Sequence, residues 1–186
     1  MSLKKLEKLN NHKRDLRIKF DSKNHIYSVD KNQNYISVTQ LVSKFFPEFD
    51  KNFWAEKQSH KLGIPKDEIL MKWENLGNKA RNAGTNLHLQ IENFYNHTNH
   101  KNSREFEKFL DFHHKYIINN YQPFRTEWKI FDEKKLIAGT IDMVYKKPDG
   151  SLFIFDWKRS KNIINSNGSV EKENPYENGL KGLSHL

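Results

Sequence analysis

The sequence predicts an α/β domain, with a central mixed sheet that contains an antiparallel meander and is flanked by helices. Three observations lead there. Leu136–Ser160 reads as a β-hairpin, two runs rich in Ile, Val, Phe, Tyr and Thr around the turn Pro148-Asp149-Gly150. Both faces of that hairpin are largely apolar, with Ile141, Met143, Tyr145, Phe153, Phe155 and Trp157 on one and Val144, Leu152 and Ile154 on the other, so it needs cover on both sides. Upstream stretches repeat apolar residues at helical spacing and supply that cover. At 186 residues the chain is long enough for one domain with a real core.

Met1 to Lys19 is basic and polar, with Leu3, Leu6 and Leu9 spaced for a short helix or left on a loose arm; residues 1–24 are set apart as a basic N-terminal arm. His25–Asp30 and Asn34–Ile36 form a small hairpin around Lys31-Asn32-Gln33. Ser37-Val38-Thr39-Gln40 matches a capping box, in which Ser37 and Gln40 each satisfy the other's backbone N–H. The helix it opens is expected to bury Leu41, Val42, Phe45 and Phe46 and to stop at Pro47. Phe49, Phe53 and Trp54 add apolar mass, and the N-terminal third is expected to pack on the rest as a cap.

Lys66–Asn96 is expected as two helices broken near Gly84. Ile69, Leu70, Trp73 and Leu76 have helical spacing, and Leu87, His88, Ile91, Glu92 and Tyr95 share one helical face, His88 and Glu92 projecting together. A lone histidine beside an apolar stripe is more often structural than a ligand, so spacing alone does not assign His88. Ser103 caps the next helix, whose first turn holds Glu105 and whose buried stripe is Phe106, Phe109, Leu110, His113, Tyr116 and Ile117. The strand Phe124–Phe131 and the turn Asp132–Lys135 lead into the hairpin and complete the meander. The domain is therefore assigned to residues 25–160, with a polar tail at 161–186.

A net charge of +9 points to an anionic partner. Nucleic acid precedes a membrane, because no basic amphipathic helix stands out and no apolar run approaches a membrane span. Solubility and heavy Lys and Asn usage account for the same charge without a partner. The absence of cysteine excludes disulfides, zinc–thiolate sites and thiol nucleophiles. It fits an intracellular protein, as does an N-terminus without the apolar core of a secretory signal.

The hairpin carries the chemistry. With a three-residue loop and Gly150 left-handed, Lys147 faces Ser151, Asp142 stands opposite Asp156, and Thr140 opposite Lys158. Opposed residues have Cβ atoms about 4.5–5.5 Å apart, so two carboxylates there repel unless a cation sits between them. Paired carboxylates suit Mg²⁺ or Mn²⁺, which polarises a phosphoryl oxygen and lowers the pKa of water. Lys158 points to the same side as Asp156, where it can orient that water or steady charge on a phosphate, and the Trp157 carbonyl can be a further ligand. Phosphodiester hydrolysis fits a basic protein with this site. An alternative on the same residues is a buried Asp–Lys pair, with Asp142 as a hydrogen-bonding helper.

Gly139-Thr140-Ile141-Asp142 followed by Phe155-Asp156-Trp157-Lys158 resembles the core motif of the PD-(D/E)XK nuclease superfamily. Gly84-Thr85-Asn86-Leu87-His88 is similar to the histidine motif of its RecB-type branch, which includes recombination, genome-maintenance, phage and large-virus nucleases. Ser37-Val38-Thr39 after a small hairpin also resembles the start of such domains, so the resemblance spans residues 25–160. It implies a restriction-endonuclease-like core and a DNA nuclease, exonuclease rather than endonuclease, in replication, recombination or repair. It implies a Mg²⁺ or Mn²⁺ held by His88, Asp142, Asp156 and the Trp157 carbonyl, with Lys158 serving water and phosphate and Glu92 and Glu127 around the ligands. Lys79, Arg81, Arg159 and Lys161 are candidate phosphate contacts. RecB-type nucleases usually carry a later helix with a Gln and a Tyr one turn apart. Gly182–Leu186 looks like its lead-in, and a further C-terminal segment or a replication or recombination partner is expected to complete the site unless the chain is a natural variant. Two other readings remain: a nucleic-acid-binding module with an incomplete site, and a phosphohydrolase of small nucleotides.

Overall fold

Residues 4–99 and 101–159 are described in the computed structural model, and they form six strands and five α-helices. In chain order these are α1 (Lys5–Leu9), β1 (Ile18–Asp21), β2 (Ile26–Val29), β3 (Asn32–Ser37), α2 (Val38–Ser43), α3 (Lys51–Leu62), α4 (Lys66–Asn96), α5 (Arg104–Phe112), β4 (Gln122–Asp132), β5 (Ile137–Lys146) and β6 (Leu152–Phe155). A 3₁₀ turn at Lys13–Leu16 precedes β1, and a π-helical turn at His113–Ile117 continues α5. The chain divides into two compact units. One joins the residues up to Val42 with Asn86–Lys158 and holds the whole sheet, and the other is built on Ser43–Thr85.

The sheet is mixed, as expected. Its order is β1-β2-β3-β5-β4, with β6 also paired to β5. β3 runs parallel to β5 through Ile36 opposite Ile137 and Ser37 opposite Ala138, and the other pairings are antiparallel. β4 lines one edge of β5 along its length, so β3 and β6 share the other edge, β3 at the start of β5 and β6 at its end. Between them lies Gly139–Asp142. A Cβ on Gly139 would stand 3.0 Å from Val38 Cγ2, so glycine is what lets the chain turn from β3 into α2 this close to β5.

The hairpin register follows the turn chemistry. Gly150 has φ +89°, its N–H donates to the Lys147 carbonyl, and Lys147 N–H donates to the Ser151 carbonyl at 2.9 Å. Lys146–Leu152 through Met143–Phe155 then pair as counted outward from that turn. The capping box also forms: Gln40 N–H donates to Ser37 Oγ at 3.1 Å and Ser37 N–H to Gln40 Oε1 at 2.8 Å. Ser103 caps α5 through Phe106 N–H at 3.2 Å.

The principal core lies in the sheet-bearing unit. Leu87, Ile91 and Tyr95 of α4 meet Phe106 and Phe109 of α5 and Met143 and Tyr145 of β5, with Phe155 and Trp157 packed against them. A second cluster joins Ile18, Tyr27, Val29, Tyr35 and Ala138. In the other unit, Asp50 caps α3 through Phe53 N–H at 2.9 Å, and Ala55 and Ile69 are buried.

Several expectations are corrected. α4 runs unbroken through Gly84, because one glycine costs only about 1 kcal/mol relative to alanine in a helix whose other residues support it. Of the two readings of the N-terminal stretch the short helix forms: α1, the 3₁₀ turn and β1 belong to the sheet-bearing unit, and Leu6 is buried. The first hairpin turns at Asp30-Lys31, both with positive φ, one residue before the expected loop centre. Val42, Phe49, Phe53, Trp54 and Tyr116 are exposed rather than buried. So are Leu152 and Ile154, so β6 is covered on one face only among the described residues.

Candidate metal centre

His88, Glu127 and Asp142 come from three separate elements of the sheet-bearing unit. α4 places His88 one residue after the buried Leu87, which turns the ring out of the core but leaves it partly enclosed. β4 and β5 pair with Thr126 opposite Met143 and Trp128 opposite Ile141, so Glu127 and Asp142 are the intervening opposed residues. Glu127 has φ +46°, a left-handed backbone that costs a glutamate about 1–3 kcal/mol. Its carboxylate lies with Oε1 3.6 Å from His88 Nδ1, and Asp142 Oδ2 lies 3.6 Å from the same nitrogen. One potential ligand atom from each of the three residues lies within 4.8 Å of the others.

The histidine is oriented from behind. His88 Nε2 is 2.7 Å from the Trp157 carbonyl, which can only accept, so Nε2 carries the proton and Nδ1 faces the two carboxylates. Trp157 N–H in turn donates to Asp142 Oδ2 at 2.8 Å. The same residue thus steers both an imidazole and a carboxylate through its backbone, as outer partners of metal ligands do. In this arrangement the Trp157 carbonyl, expected as a ligand, is bound to the far side of His88.

The charges are unbalanced. Burial raises the Asp142 carboxyl above its usual pKa, the Asp156 and Glu127 charges push the same way, and the Trp157 N–H and His88 oppose them. The His88 pKa is raised mainly by Glu127, with help from Asp142 and the Trp157 carbonyl and against its own burial. At 3.6 Å the Glu127 contact is too long for a hydrogen bond and is an ion pair when His88 is protonated. Both raised values act with one sign. A proton held more tightly in the folded state stabilises that state below the unfolded value, about 6.5 for histidine, and the benefit fades as pH rises through the raised value. Thermal melting of the metal-free protein is therefore expected to show stability falling above pH 6.5, with a shallower fall in His88→Gln; equal slopes would refute the pairing.

Asp156 and Lys158 are not among the three residues whose ligand atoms cluster, although the Asp156 charge is felt by Asp142. The β6 ladder ends at Phe155, one residue short of Asp156, so the expected face-to-face pairing of Asp142 with Asp156 is not completed. Both side chains are 57% exposed, and Lys158 Nζ holds Asp156 Oδ1 and Oδ2 at 2.9 and 2.8 Å. Glu92, expected near the ligands, is buried and paired at 2.5 Å with Lys4 Nζ. Lys79, Arg81 and Arg159 are exposed and belong to the other unit, while Lys161 and the tail 161–186 lie outside the described residues.

Protein-family models, curated proteins and solved structures contain no significant match to this chain. The site must therefore be judged on its own chemistry. One imidazole nitrogen and two carboxylates make a group that could hold a metal ion. The residues fit, because burial and the opposed Glu127 charge disfavour the Asp142 carboxylate, and a cation between the two would relieve both. Among the described residues no helix is long and apolar enough to cross a membrane.

The sequence suggests Glu127 as a neighbour of the ligands; in the structure it lies with His88 and Asp142 in the group that could hold a metal. Counting outward from the expected Asp132–Lys135 turn sets Glu127 against Thr140; Asp132 instead pairs with Ile137, and that shift of register is what puts Glu127 opposite Asp142.

Proposed function

We propose that the chain is a divalent-metal-dependent nuclease that hydrolyses phosphodiester bonds in DNA, acting on ends rather than internally, with the restriction-endonuclease-like, RecB-type character that its motifs resemble. The observation that carries the reading is the convergence of His88, Glu127 and Asp142 from α4, β4 and β5, with a lysine just beyond β6. A divalent cation bound there supplies Lewis acidity toward a phosphoryl oxygen and a more acidic water.

The chain's own residues do the rest. His88 offers Nδ1 because its Nε2–H is committed to the Trp157 carbonyl. Asp142 offers a carboxylate already fixed by the Trp157 N–H. Lys158 is exposed enough to leave Asp156 for a phosphate oxygen, an exchange of one anion for another that costs little in solvent. The charge of +9 draws the polyanion to the protein at low salt.

A second reading rests on one observation. Asp156 lies outside the three-residue group and is neutralised by Lys158, as in a nucleic-acid-binding module whose catalytic site is incomplete. Labelled single- and double-stranded DNA incubated with the chain in Mg²⁺, Mn²⁺ or EDTA separates the two. Metal-dependent, EDTA-sensitive shortening from the ends is expected, and Lys158→Ala should slow it by about 10²-fold or more without lowering the melting temperature. Salt-sensitive binding without cleavage in either metal would leave the module. Release of phosphate from free nucleotides alone would move the substrate to small molecules.

A further inference from the structure

The backbone of Glu127 is in an unfavourable conformation within a strand, and its neighbours show what restrains it. Arg125, Thr126 and Trp128 all have side chains bonded to groups off β4. Arg125 Nη1 donates to Asp15 Oδ2 at 2.7 Å and to the Asn10 carbonyl at 2.9 Å. Asn96 Nδ2 donates to Thr126 Oγ1 at 2.9 Å, and Trp128 Nε1 donates to Asp15 Oδ1 at 2.9 Å. Asp15 thus uses its two oxygens to hold the residue two before Glu127 and the residue one after it.

We infer that Asp15 is a positioning residue for Glu127, clamping β4 on both sides so that the Glu127 carboxylate is delivered to His88 Nδ1. The inference rests on the reading of His88, Glu127 and Asp142 as a metal centre. Asp15 is itself anchored, since Oδ2 also accepts from His12 N–H at 2.9 Å within the 3₁₀ turn. Arg125 is only 4% exposed, so its guanidinium has no solvent alternative to Asp15, and it lies 4.8 Å over the Trp128 ring. In Asp15→Asn one of the two accepting oxygens becomes an NH2 group, so Arg125 and Trp128 are no longer both held. The left-handed Glu127 then relaxes toward an ordinary strand conformation, which turns its side chain away. A ligand whose outer support is lost binds metal about 10–100-fold more weakly.

Mn²⁺ titration of the full chain, followed by calorimetry or by loss of the free-ion EPR signal, tests this in wild type, Asp15→Asn, Glu127→Gln and the double variant. Asp15→Asn is expected to weaken Mn²⁺ binding by about 10-fold in the wild-type background and to have no further effect once Glu127 is Gln. Trp128→Phe, which keeps the ring and removes one donor, should show a smaller weakening with the same dependence on Glu127, and serves if Asp15→Asn does not fold. Weakening by the same factor in both backgrounds, or none in the wild-type background, would overturn the inference, because a general loss of structure does not act through Glu127. Unchanged Mn²⁺ binding in Glu127→Gln alone would instead refute Glu127 as a ligand.

Discussion

Asp142→Asn is expected to abolish divalent-cation binding and DNA cleavage while leaving the metal-free protein at least as stable as wild type. Asparagine keeps the oxygen that accepts from Trp157 N–H, so the local geometry survives. It removes the carboxylate charge, which burial and the charges of Glu127 and Asp156 already disfavour. The loss of a charge partner 3.6 Å from His88 is offset because Glu127 faces the same nitrogen. Cleavage should fall by more than about 10²-fold, Mn²⁺ titration should become flat, and the melting temperature without metal should hold or rise. A variant that melts earlier and still binds Mn²⁺ would mean that Asp142 is a structural acid, as in the Asp–Lys alternative.

Phe106→Ala is expected to cost about 3–5 kcal/mol of folding stability, read from urea unfolding. The ring is fully buried, stacked on Phe109 at 5.4 Å between centroids and edge-on to Phe94 at 6.0 Å. These rings lie in a densely packed core cluster, so the space left behind adds a cavity contribution. Against a typical total of about 5–15 kcal/mol, the variant should be marginal at best. A loss below about 1.5 kcal/mol would mean that α5 can move to fill the space.

Features governed by contacts between near neighbours were readable: the Ser37–Gln40 capping box, the Ser103 cap and the register set by Gly150. The place of Asp142 on its strand is legible because that strand and its turn are local. Asp156 was carried one step too far, since no pattern marks where a ladder stops, and β6 stops at Phe155. Gly84 was read as a break because glycine weakens helices, yet the residues around it outweigh that penalty. The role of residues 5–21 was hidden for a different reason. Asp15 finds Arg125 across 110 positions and Leu6 N–H finds Asn96 across 90, and no window of sequence displays such pairings.

The parallel junction of β3 with β5 sets an order of events during synthesis. Ile36 emerges roughly 100 residues before Ile137, the strand residue it must pair with. At about 5–20 residues per second, the first three strands wait about 5–20 s with one sheet edge unfilled. That edge begins with Asn32-Gln33-Asn34, polar residues poorly suited to strand pairing, and follows a turn bearing Asp30 and Lys31. The polar start of that edge and its charged turn disfavour pairing with a neighbouring chain on the same messenger while the edge is open.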